Sequence, residues 1–138
     1  METQPRILTV GVYDYFHYGH LRVFQQAKGV APNGYLIVAV QESDYIRKFK
    51  PEAVVYYPTD IRCELIRALR CVDEVITYRD VSEIVRIAEY DIFAVGEDQQ
   101  HEKFRDAIAW CQQHGKAVVR LHRTPGISSR MIKGDLMK

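Results

Sequence analysis

Short apolar runs alternate along the chain with stripes of apolar residues spaced three and four apart. From Ile7 to Tyr13 the residues are mostly β-branched or apolar and run into a polar cluster ending at Gly19, the pattern of a buried strand entering a loop. His20 to Lys28 places Leu21, Phe24 and Ala27 at three-residue spacings, a helical stripe that the Pro32-Asn33-Gly34 turn follows. Tyr35 to Val40 reads as a second strand. Gln41 to Pro58 is charged and holds two prolines, so a long loop or broken helix is expected there, and with it a candidate lid. Thr59 is expected to cap a helix with Ile61, Leu65, Ile66 and Leu69 on its apolar side, leading into a third strand over Val72 to Tyr78. Asp80 or Ser82 can cap the next helix, with Ile84, Val85, Ile87 and Ala88 on its apolar side. Ile92 to Val95 gives a fourth strand. Phe104 to Cys111 belongs to a helix that Gly115 ends, and Ala117 to Leu121 is a fifth strand. Ser128 and Ser129 are expected to cap a short terminal helix.

Five short strands alternating with helices predict an α/β fold. The expectation is a single Rossmann-like domain over residues 1–138, a five-stranded parallel sheet with helices on both faces. Ligands in such folds bind beyond the carboxyl ends of the strands, where strand order reverses. That rule selects the loops carrying His17 with His20, Lys48 with Lys50, Glu97 with Asp98, and Arg123 with Ser128.

Composition adds limits rather than chemistry. The chain has 138 residues, 47% hydrophobic, with 19 Lys+Arg against 18 Asp+Glu, so any anion site has to be local rather than a general basic surface. The apolar runs fall well short of a membrane span and no signal-peptide pattern precedes the first strand, so a cytoplasmic protein without membrane attachment is expected. Cys63, Cys71 and Cys111 form no C-x-x-C pair and are expected to be buried free thiols.

The informative segment is Gly11-Val12-Tyr13-Asp14-Tyr15-Phe16-His17-Tyr18-Gly19-His20. Residues at i and i+3 share one face of a helical turn, so both imidazoles can meet one anion beside the free N–H groups of a helix start. His-x-x-His spacing alone is equally compatible with exposed histidines or half of a metal site, although no nearby carboxylate or cysteine completes a zinc set.

The whole string resembles the signature of the cytidylyltransferase branch of the nucleotidyltransferase superfamily, Gly-Thr-Phe-Asp followed by His-x-Gly-His. Gly11, Asp14, His17, Gly19 and His20 match it, Tyr13 is an aromatic replacement, and Val12 stands where threonine is usual. Arg123-Thr124-Pro125-Gly126-Ile127-Ser128-Ser129 is similar to the second signature, Arg-Thr-x-Gly-Ile-Ser-Thr, and Arg70-Cys71-Val72-Asp73-Glu74-Val75 to a segment of the bacterial glycerol-3-phosphate cytidylyltransferases. The resemblance runs from end to end.

The resemblance implies in-line attack by an acceptor phosphate oxygen on the α-phosphorus of CTP, with pyrophosphate leaving and no protein nucleophile. His17 and His20 would hold the triphosphate, protonation being favoured by the shared anion. Lys48 would face the acceptor and Lys50 the CTP, on a loop whose closure excludes water. Arg123 would fork onto phosphate oxygens while Thr124, Gly126, Ile127, Ser128 and Ser129 cradle phosphate. Val12 and Tyr13 would line the nucleotide site, Asp98 aligns near the base pocket, and Arg62 matches an arginine assigned to substrate. Asp14 is read as a structural residue that bonds backbone amides, and Tyr56 and Tyr57 as loop anchors. A divalent ion, Mg2+, is expected to travel with CTP.

Glycerol-3-phosphate is the leading acceptor. Phosphoethanolamine, phosphocholine or a sugar phosphate stay open, as does ATP as donor, because the segment from Val81 to Asp91 is short and lacks a lysine at its start. A non-catalytic nucleotide-binding module is the alternative of another class. The C-terminal Lys116, Arg120, Arg123, Arg130, Lys133 and Lys138 suit a triphosphate pocket as well as nucleic acid, and no RNA-binding signature accompanies them. A homodimer is expected.

Overall fold

The structure, a computed structural model, describes residues 4–127 and residue 132. Strands β1 (Arg6–Gly11), β2 (Tyr35–Gln41), β3 (Glu74–Tyr78), β4 (Ile92–Gly96) and β5 (Ala117–Leu121) form one sheet in the order β3-β2-β1-β4-β5. Every neighbouring pair is parallel. Helices α1 (Tyr18–Lys28), α2 (Ser43–Phe49), α3 (Thr59–Arg67), α4 (Val81–Ile87) and α5 (Glu102–Gln113) connect them.

Both faces of the sheet are covered, and strand alternation divides the core accordingly. Leu8, Val10, Ile37, Ala39 and Phe93 pack with Val81, Ile84 and Val85 of α4 and with Phe104, Ala107 and Cys111 of α5. Ile7, Leu36, Val38 and Val40 point the other way, onto Phe24 and Ala27 of α1 and Cys63 and Ile66 of α3. Phe24 and Phe93 are fully buried on opposite sides, each contributing on the order of 3 kcal/mol through burial.

Several boundaries differ from the sequence reading. β1 stops at Gly11 because Tyr13 adopts φ 58° and folds its ring back over the strand end. The stretch after β2 is not one long loop, since α2 occupies its first part. Pro58, not Thr59, stands at the N-cap of α3, and the Thr59 hydroxyl instead accepts from the Ser43 backbone N–H at 2.9 Å. Asp80 does cap α4, accepting from the Ser82 N–H at 2.9 Å. Cys63 and Cys111 are buried free thiols, whereas Cys71 is only half-buried. The expected terminal helix at Ser128-Ser129 lies outside the described residues. Among the described residues no helix is long and apolar enough to cross a membrane.

Candidate active site

Strand order reverses at β1, which has β2 on one side and β4 on the other. A pocket of about 440 Å³ opens there, at the carboxyl ends of β1 and β4. Val12, Tyr13, His17 and His20 line one wall, and Asp98, Arg123, Thr124 and Ile127 the other. Two signatures about a hundred residues apart in sequence thus face each other across the switch point.

The histidine wall is a helix start. His17 is the N-cap of α1 and His20 sits in its first turn, where the His20 Nδ1 accepts from the His17 backbone N–H at 3.2 Å. The two rings stack with centroids 3.8 Å apart and an interplanar angle of 22°. The glycine between them has a steric reason: a Cβ on Gly19 would lie 2.7 Å from the His17 ring. Burial, and then the positive Arg123, lower the His17 pKa. Burial, with His17 alongside, pushes His20 down to about 3. In the free protein both rings are therefore neutral at pH 7, and the protonation expected of them belongs to the state with a shared anion bound. The His17 Nδ1 is buried without a hydrogen-bond partner.

The loop between β1 and α1 is strained and pinned. Tyr13 and Tyr15 both adopt left-handed φ, 58° and 50°, a costly conformation for aromatic residues. Tyr13 is buried, edge-on to His20 and Phe24, and its ring occupies the space that a Cβ on Gly11 would need. Between them, Asp14 accepts from the backbone N–H groups of Tyr56 at 2.6 Å and Tyr57 at 3.1 Å. This is the amide-bonding role read for Asp14, and it makes Tyr56 and Tyr57 anchors for the chain leading into α3.

On the opposite wall, the Arg123 backbone N–H donates to Glu97 Oε1 at 2.8 Å, which ties the basic turn to the end of β4. Gln26 of α1 grips the preceding residue, its amide donating to the His122 C=O and accepting from the His122 N–H, both at 2.9 Å. The Arg123 side chain is exposed at the pocket, and Gly126 takes φ 82° in the turn that follows. Ser128 and Ser129 lie outside the described residues.

The lysines and Arg62 lie apart from this pocket. Lys48 lies in the last turn of α2 and Lys50 is its C-cap, both exposed, with Lys50 near enough to His101 to help lower that histidine's pKa beyond what burial does. The first turn of α2 is fixed. Tyr45 donates to Asp80 Oδ2 at 3.0 Å, and Lys103 reaches the same carboxylate at 2.8 Å and the Tyr45 hydroxyl at 3.2 Å. Arg62, expected on substrate, is fully buried. Its Nε donates to Tyr57 O, its Nη1 to Val12 O and Gln41 O, and its Nη2 to Ser43 Oγ and Thr59 Oγ1, at 2.7–3.3 Å. All five guanidinium N–H groups are thereby used. No donor remains for a substrate, and Arg62 instead joins the histidine loop to the starts of α2 and α3.

The family model described as cytidylyltransferase-like matches residues 8–135. The chain belongs to the cytidylyltransferase-like family. It is 32% identical over 135 residues to the glycerol-3-phosphate cytidylyltransferase of Staphylococcus aureus, covering 95% of this chain and 94% of that protein. It is 38% identical over 127 residues to an FAD synthase of Thermococcus onnurineus, covering 84% and 78% respectively. The lipopolysaccharide core biosynthesis protein from Thermoplasma volcanium shares its fold with a TM-score of 0.71 at 22% identity, over 88% of this chain and 98% of that one. Family and relatives agree on nucleotidyl transfer as the reaction class.

Two features of this cytidylyltransferase-like chain escaped sequence reading. Glu97 was visible only as an acidic residue in the right loop, and its bond to Arg123 depends on the β4–β5 pairing. Gln99 lines the pocket and bonds to both β1 and β4, with no motif to announce it.

Proposed function

We propose that this protein transfers a cytidylyl group from CTP to a small phosphorylated alcohol, glycerol-3-phosphate foremost, giving CDP-glycerol and pyrophosphate. The observation that carries the reading is the stacked His17–His20 pair at the start of α1, facing Arg123 across the switch-point pocket. A phosphate oxygen of the acceptor forms a bond to the α-phosphorus as the bond to the bridging oxygen breaks, and pyrophosphate leaves with the electron pair. The protein's part is to position the two anions and to offset charge on the oxygens. His17 and His20 donate to the α-phosphate and bridging oxygens, while Arg123 and the backbone of Thr124, Gly126 and Ile127 hold the outgoing phosphates, to which the second signature also assigns Ser128 and Ser129. Val12, Tyr13 and Asp98 flank the nucleoside, Lys50 approaches the nucleotide and Lys48 the acceptor.

Among the described residues no three His, Cys, Asp or Glu side chains gather to hold a metal. A Mg2+ would travel with the bound CTP. When bound it neutralises charge on the triphosphate and on the departing pyrophosphate. A cytoplasmic homodimer is the setting expected for this chemistry.

The FAD synthase relatives support a second reading with ATP as donor. Pyrophosphate release in the presence of Mg2+ separates the two, crossing CTP and ATP against glycerol-3-phosphate, phosphocholine, phosphoethanolamine and sugar phosphates, with His17→Ala as control. Release that needs CTP and glycerol-3-phosphate and disappears in His17→Ala is expected. Release from ATP alone overturns the cytidylyl reading, and nucleotide binding without release from any pair overturns catalysis of this acceptor class.

A further inference from the structure

β1 and β4 are neighbours for only part of their length. They pair at Ile7 with Ile92 and Leu8 with Phe93, whereas β1 stays in register with β2 from Arg6 to Gly11 and β4 with β5 from Ile92 to Gly96. The sheet therefore splits into two halves at its carboxyl edge, and the split is the floor of the pocket. Continuing the β1–β4 register sets Val10 opposite Val95. The next bond of a parallel ladder would then run from the Gly96 N–H to the Val10 C=O.

Both groups of that missing bond are present and satisfied by one side chain. The Gly96 N–H donates to Gln99 Oε1 at 2.9 Å, and Gln99 Nε2 donates to the Val10 C=O at 2.9 Å. Only one orientation of the amide presents an acceptor to the N–H and a donor to the carbonyl, so the network fixes it. The carboxamide has the donor and acceptor of a peptide unit and is spliced into the ladder, lengthening one hydrogen bond into two with an amide between. A tight turn presents it: the Gln99 N–H bonds to the Gly96 C=O at 3.0 Å, and Arg120 of β5 donates to the carbonyls of Gly96 and Gln99.

We propose that Gln99 is a positioning residue for nucleotide binding, its amide holding the β1–β4 crevice open at the width of the nucleotide pocket. The proposal rests on reading that crevice as the nucleotide site. Without the amide, Val10 and Gly96 either keep unpaired polar groups in a buried place or close on each other and narrow the pocket. Either outcome alters the fit of the nucleotide while leaving the groups on the reacting phosphorus in place, so the loss falls on KM for nucleotide more than on kcat.

Gln99→Leu and Gln99→Glu test this, with CTP or ATP binding measured calorimetrically in the presence of Mg2+ from pH 5 to 8.5, alongside kinetics and melting curves. Leucine offers neither hydrogen bond, and its nucleotide affinity is expected to fall about tenfold at every pH, the effect of roughly one net hydrogen bond. In Gln99→Glu the protonated carboxyl can still donate to the Val10 C=O and accept from the Gly96 N–H, and the ionised carboxylate cannot do both. The affinity of Gln99→Glu relative to the original protein is therefore expected to fall as pH rises. Glu97 and Asp98 in the same turn, Arg120 on β5, and Asp14, His17 and His20 around the pocket are common to both proteins and cancel in that ratio. Unaltered nucleotide affinity in Gln99→Leu together with a lowered melting temperature would make Gln99 a brace and overturn the proposal, as would a pH-independent ratio for Gln99→Glu. If the original protein binds neither CTP nor ATP, the nucleotide-site reading itself falls.

Discussion

The backbone N–H of His17 donates to Nδ1 of His20. A ring nitrogen that accepts carries no proton, so neutral His20 holds its hydrogen on Nε2, as a donor needing no imidazolium. Protonating Nδ1 would set two donors face to face, in keeping with the low pKa that burial and His17 impose. The two nitrogens thus have separate tasks, which two substitutions divide. His20→Asn keeps an acceptor near the Nδ1 position and His20→Gln keeps a donor near Nε2. Turnover is expected to fall about 10²–10³-fold in His20→Asn and less in His20→Gln, while the melting temperature is better kept by His20→Asn. Equal turnover in the two variants would sink this division.

Acid weakens the free protein through its histidines. His17, His20 and His101 all have folded pKa values below the ordinary 6.5, each chiefly through burial. Between the folded and unfolded values the unfolded chain binds more protons, so stability is full above about pH 6.5 and declines as pH falls from there towards about 3. Asp80 is pulled the other way: burial raises its pKa, and hydrogen bonds from Lys103, Ser82 and Tyr45 outweigh that and hold it low. Its contribution is lost only in stronger acid. Melting curves at pH 7.5 and 5 are expected to show a drop that His20→Asn reduces, and a melting temperature that rises on acidification would contradict the assignment.

Gly19 is needed for ring placement rather than for folding. An added methyl at 2.7 Å from the His17 ring can be relieved by turning that ring, since the contact is with a side chain. Gly19→Ala is therefore expected to melt within a few degrees of the original while kcat/KM falls on the order of 10²-fold, the scale of a misplacement of about 1 Å. Kinetics beside calorimetry decides it, and full activity would show that the ring position does not matter.

Arg62 is expected to register in stability first. Truncating one partner of a buried, fully hydrogen-bonded charge leaves its acceptors unpaired, so Arg62→Leu should lose about 3–5 kcal/mol in denaturant unfolding without any ligand. Ser43→Ala, which removes one of the five acceptors, should lose about 1 kcal/mol. A residue that only touched substrate would leave the free protein's unfolding curve in place.

The strands and the pocket were legible because their signals are local. Strands covered on both faces read as apolar runs, and both signature loops follow from them at one edge of the sheet. Where the signal depended on partners far along the chain, reading failed. Among its described side chains α2 buries only Ser43 and Ile46, and it is held by Arg62, nineteen positions from Ser43. Arg62 itself looks like a surface arginine until its five acceptors are assembled, and Gln99 acquires meaning only once β1 and β4 are seen to part.

The segment bearing Lys48 and Lys50 is moored twice, by Tyr45 to Asp80 and Lys103 at one end and by Tyr56 and Tyr57 to Asp14 at the other. Folding therefore fixes the local concentration of the two ammonium groups at the end of α2 before any ligand arrives. A span of about ten residues between moorings explores far fewer conformations than an unmoored loop, and each halving of loop length lowers the closure cost by about 0.6 kcal/mol. Mooring thus makes the lysines a dense local cloud of positive charge, whose attraction for any anion weakens with added salt over a Debye length of about 8 Å at physiological ionic strength.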